Sequence, residues 1–81
     1  MAKATELQRM MRFLDRNRTY RVGEVTIDTW FDKTSRCWIT AKKDADGNQI
    51  GDAEISGDKV GAAHAHDRVI TEVTEETYKG K

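Results

Sequence analysis

The stretch Asp46–Ala65, DGNQIGDAEISGDKVGAAHA, decides how the chain folds. Asp46-Gly47 is a hairpin signal, because glycine takes a positive φ at no steric cost. Asn48 to Ser56 follows with β-type sequence. Gly57-Asp58 interrupts that strand, and Asp58 is suited to cap a helix. Ala62, Ala63 and Ala65 favour a helix from Lys59, opposed by Gly61, which costs about 1 kcal/mol relative to alanine. A turn, a strand, a break and a helix are therefore expected in succession.

Upstream, residues 36–43 read as a strand and 20–31 as a longer one. Val25, Ile27, Thr29 and Phe31 share one parity, while Glu24, Thr26, Asp28 and Trp30 share the other. Tyr20 and Val22 are out of phase with Val25, and Gly23 is read as a bulge that corrects the phase. Asp32-Lys33-Thr34-Ser35 is a polar turn. Before the strands, Leu7, Met10, Met11 and Leu14 fall at i, i+3, i+4 and i+7, the apolar stripe of a helix over about 5–17. Thr5 with Gln8 three residues on has the form of a capping box. Downstream, residues 68–74 are rich in β-branched side chains, yet Val69, Ile70 and Val73 also fit a helical face. The helical reading is preferred, over about 59–76, with 77–81 a frayed tail. The expected architecture is α+β: one domain over 1–81, a three-stranded antiparallel sheet packed on two helices.

A chain of 81 residues buries roughly two-thirds or less of the surface its unfolded form exposes. The expected core is correspondingly lean: Leu7, Met10, Met11, Leu14, Val25, Ile27, Trp38, Ile39, Ile50, Ile55, Val60 and Ile70. Fourteen Lys and Arg balance fourteen Asp and Glu. That neutrality argues against a general polyanion binder. It also removes an aid to solubility, which leaves a homodimer open. The single Cys37 cannot form an internal disulfide, and beside Trp38 and Ile39 it reads as a small half-buried residue. MAKATELQRM has no apolar run of the signal-peptide kind, and no stretch reaches membrane-spanning length. A cytoplasmic protein with no membrane partner is expected.

The helix–strand–helix order resembles the double-stranded RNA-binding domain. Leu7-Gln8 stands where that family carries such a pair in its first helix. Tyr20-Arg21-Val22-Gly23-Glu24-Val25 looks like its first strand, Asp46–Gly51 like its second hairpin, and Ala62-Ala63-His64-Ala65 like its alanine-rich second helix. The resemblance covers most of the chain and implies a duplex RNA binder. Two motifs depart from it. The lysine cluster that opens the family's second helix is replaced by Ser56-Gly57-Asp58-Lys59-Val60. The histidine of its first hairpin loop has no counterpart in Asp32–Ser35. In size and style the chain is also similar to small phage accessory proteins, including some anti-CRISPR proteins.

Chemistry-bearing motifs are sparse. Asp44-Ala45-Asp46-Gly47-Asn48 begins like a calcium loop, but Gln49 stands at the sixth position and Ile55 at the twelfth. His64 and His66 at i, i+2 point to different faces of a helix, and both read as surface or rim residues. No GxSxG, activated cysteine or glycine-rich phosphate loop is present. Neither an enzyme nor a cofactor is expected. Arg9, Arg12 and Arg16 share the polar face of the first helix, and Arg18 and Arg21 extend it. Arginine forks suit phosphates and carboxylates. Trp30 either stands on the outer face of the sheet, as an interface anchor would, or packs under a helix while Phe31 faces out. Arg9, Arg12, Arg16, Arg18, Arg21, Trp30 and Lys59 form the candidate partner-binding set. The expected function is a non-catalytic phage or mobile-element accessory protein, anti-defence or host-modulating, that binds a host protein or nucleoprotein complex. The alternative is a duplex RNA- or DNA-binding module using the basic helix face.

Overall fold

The computed structural model describes residues 5–79. Its elements run α1 (Glu6–Arg16), β1 (Thr19–Val22), β2 (Val25–Asp32), β3 (Cys37–Lys43), β4 (Gln49–Ser56) and α2 (Lys59–Lys79). The fold is α+β, with one antiparallel sheet in the order β1-β2-β3-β4.

The sheet has four strands, not the expected three. Residues 20–31 are not one bulged strand. Val22 pairs with Val25, so Gly23-Glu24 is a two-residue hairpin loop. Gly23 has φ +60°, and a glycine at the first central position is what a type II′ turn demands. The out-of-phase Tyr20 and Val22 are thus in phase after all. Paired as Tyr20↔Ile27 and Val22↔Val25, they point to the same side as β2's apolar set.

The helix termini follow the side-chain chemistry. Thr5 accepts from the Gln8 amide at 3.0 Å, and the Gln8 side chain accepts from the Thr5 amide at 3.0 Å, a complete capping box. Asp58 accepts from the Gly61 amide at 2.8 Å, at the start of α2. Residues 68–74 are helical, as preferred. The expected frayed tail is corrected in part: α2 continues through Thr77, Tyr78 and Lys79, while Gly80 and Lys81 lie outside the described residues. The turn at 44–48 is a hairpin loop, with the Asp44 carboxylate accepting from the Asp46 and Asn48 amides, both at 2.9 Å.

α2 crosses all four strands, and α1 packs mainly on α2. One cluster joins Leu14 of α1 to Ala62 and Ala63 of α2, with Met10, Met11 and Trp38 at its margin. The other joins Val22 and Ile27 of the sheet to Val69 and Val73, flanked by Tyr20, Val25 and Ile70. Alanines let the helices approach closely. The expected core is therefore right for Leu14 and Ile27 and wrong for Ile50, Ile55 and Val60, which are exposed. The extents are 42 × 35 × 17 Å. The thin dimension fits one sheet layer under one helical layer, so one face of the sheet has no helix over it.

Candidate interaction surface

Register assigns each side chain to a face. Tyr20, Val22, Val25, Ile27, Thr29, Trp38 and Thr40 are cross-strand neighbours on the helix-covered side. The opposite side carries Arg21↔Thr26, Thr19↔Asp28, Asp28↔Ala41, Thr26↔Lys43, Trp30↔Ile39 and Ile39↔Ile55. Trp30, Ile39 and Ile55 thus form a continuous apolar row across β2, β3 and β4. Directly opposed side chains lie about 5 Å apart. Trp30 is 37% exposed and Ile55 64%. Ile39 lies half-buried between them. Of the two readings of Trp30, the outward one holds. Phe31 is on the helix side but at the sheet's end, exposed, with its ring 5.7 Å from Trp38.

Beside the row stands an ion pair. Lys43 lies 3.0 Å from Asp28, with its ammonium 5.6 Å from the centre of the Trp30 ring. Burial pushes the Asp28 carboxyl up, but the Thr19 hydroxyl and the Lys43 ammonium outweigh it and hold it below 3.8. Asp32, at the far end of β2, is also held below 3.8, chiefly by the hydroxyl and amide of Ser35.

The candidate set from the sequence is not one site. Arg9, Arg12 and Arg16 are exposed on α1, and Arg9 reaches Glu6 only at 4.0 Å. Arg18 and Lys59 converge on Asp15, at 3.7 Å and 2.6 Å. The Lys59 contact is the main cause that holds the Asp15 carboxyl below 3.8. Arg18 also lies over Trp38, 5.2 Å from the ring centre. Arg21 donates from Nε to the Gly23 carbonyl at 3.0 Å. Only Trp30 and Arg21 lie on the open face. Sequence reasoning missed Ile39, Ile55 and Lys43 there, and assigned both isoleucines to the core. The signal was available: Trp38 and Ile39 have opposite parity, as do Ile50 and Ile55, so each pair must divide between the two faces.

One histidine is not where it was expected. His64 is exposed, but His66 is 1% exposed. Its Nε2 lies 2.7 Å from the Asn17 carbonyl at the end of α1. A carbonyl only accepts, so Nε2 carries the proton. In the neutral ring Nδ1 then accepts, at 2.7 Å, from the Thr29 hydroxyl. Thr29 in turn accepts from Thr40 at 3.0 Å. The proton directions of the whole chain Thr40→Thr29→His66→Asn17 follow from that one carbonyl. Burial holds the imidazole's pKa below 6.5, against the opposing pull of the Asn17 carbonyl, Asp67 and Asp28.

No three His, Cys, Asp or Glu side chains converge as metal ligands among the described residues. Cys37 is half-buried, with its sulfur 2.9 Å from the Ser35 hydroxyl. Among the described residues no helix is long and apolar enough to cross a membrane. Comparison with protein-family models, curated proteins and solved structures gives no match.

Proposed function

We propose that the chain is a non-catalytic interaction module that binds a protein partner through the open face of its sheet. The observation that carries this reading is the row Trp30–Ile39–Ile55, uncovered by either helix. Exposed tryptophan flanked by polar residues is the composition of an interface anchor with its rim. A binding role also agrees with the state of the titratable groups. Asp28 is engaged by Thr19 and Lys43, and both nitrogens of His66 are occupied inside the core. Neither is placed to act as a general base.

Replacing Ile55 by a photo-reactive benzoylphenylalanine in cells is expected to give a protein adduct on irradiation. The same replacement of Val60, exposed on α2, is expected to give none. Absence of an adduct at Ile55, or an equal one at Val60, overturns the reading.

A second reading places duplex RNA or DNA on the exposed Arg9, Arg12 and Arg16 face of α1. It predicts a low-salt gel shift whose log–log salt slope is about −0.9 per neutralised phosphate. Changing the three arginines to alanine should abolish the shift. No shift at micromolar protein removes this reading.

A further inference from the structure

We infer that the partner seated on the open face is a second copy of this chain, the two Trp30–Ile39–Ile55 rows packing face to face across a two-fold axis near Ile39. This rests on the reading of that face as a binding surface. Four observations select a second copy over other occupants.

The first is charge. The regular strand positions of the face carry Arg21 and Lys43 against Asp28 and Asp32. Two cations and two carboxylates make it neutral, on a chain whose net charge is also zero. A neutral face meets its own image without net repulsion, whereas it offers a polyanion no attraction. The second is symmetry. Ile39 is the middle member of the row, so a two-fold there superposes the row on itself, and each contact is made twice.

The third is area. Strands of four, eight, seven and eight residues at about 3.3 Å per residue, set about 4.8 Å apart, give a face of about 430 Å². Two such faces bury about 860 Å² together, below the standard size and in the range of weak, transient interfaces. The dimer is therefore weak and concentration-dependent. The fourth is the state of the sheet edges. β1 has four residues. β4 is bent where Gly51, Asp52 and Ala53 stand opposite the single Ala41. Short and bulged edges resist edge-to-edge pairing, which directs association to the face. The result is an aligned sheet-on-sheet packing with helices outside.

The test is sedimentation equilibrium of the purified chain across protein concentrations. The mass should rise from 9.2 kDa toward twice that value as concentration approaches about 1 mM. I55E and I39K should hold the monomer mass throughout, with helical and strand signals retained by circular dichroism. V60E should associate like the parent. A constant monomer mass, or association unchanged by I55E, overturns the inference. A monomer that still gives an adduct of other mass at Ile55 removes the second copy and leaves the proposed function standing. A monomer with no adduct removes both.

Discussion

His66→Leu is expected to lower stability by about 2–4 kcal/mol, although leucine is apolar and fills a similar volume. The substitution leaves the part-buried Asn17 carbonyl without its partner and the buried Thr29 hydroxyl with nothing to donate to, its only remaining contact being Thr40. Each orphaned group costs about 1–3 kcal/mol. For a domain of this size that lowers the melting midpoint by roughly 10 °C or more. Thr29→Val cuts the same chain one link away, and the double variant should be less destabilised than the sum of the singles. The parent and the variants should also differ in pH dependence. Burial depresses the imidazole's pKa below 6.5, so the unfolded chain takes up the proton first. Stability from the neutral ring is full above about pH 6.5 and is lost as pH falls from there toward the lower folded value. Asp15, Asp28 and Asp32 are held below 3.8, so their losses come only under more acidic conditions. As pH falls from about 6.5 toward the lower folded value the parent should weaken while His66→Leu stays flat. A parent curve that is flat over that interval would mean that the imidazole is not held neutral.

Leu14→Ala should cost about 3–5 kcal/mol, measured as a shift in urea midpoint at unchanged slope. Leu14 is 0% exposed and is the only buried residue of α1. Its neighbours Ala62 and Ala63 have no side-chain length with which to fill a void. Only Met10, Met11 and Trp38 at the cluster's margin could shift into the space, so the cost falls within the usual range for such a truncation. Against a total of roughly 4–12 kcal/mol for a chain of this length, α1 would lose most of its hold on α2. A cost below about 1 kcal/mol would show that α1 is held elsewhere, through Phe13 against Tyr20 at 5.2 Å or through His66.

Local features of the fold were legible because their causes are local. The stripe from Leu7 to Leu14, the Thr5–Gln8 box and the Asp46-Gly47 turn each lie within one helical turn or one hairpin. The parity of Val25, Ile27 and Thr29 named the covered face of β2. The β1–β2 hairpin was half legible: the phase break at Gly23 was visible, but bulge and turn produce the same break. His66 was not legible, since Thr29 and Asn17 stand 37 and 49 residues away. The open-face row was legible in part: parity divides Trp38 from Ile39 and Ile50 from Ile55, but does not say which of each pair faces out. Ile39 and Ile55 look like core residues until strand pairing shows that Trp38 and Glu54 take the helix side. For the same reason the basic residues, collected as one patch by sequence, divide among α1, the Asp15 cluster and the sheet.

The placement of α2 has a consequence for biosynthesis. Four strands joined by short hairpins can pair as soon as they leave the ribosome. The part of their inner face at Val22 and Ile27 packs on Val69 and Val73 of α2, which are made afterwards. At about 5–20 residues per second, that part of the inner face would stand bare, along with the open face, for roughly a second or more. During that interval a nascent chain exposes two apolar surfaces to neighbours on the same messenger, where the folded protein exposes one.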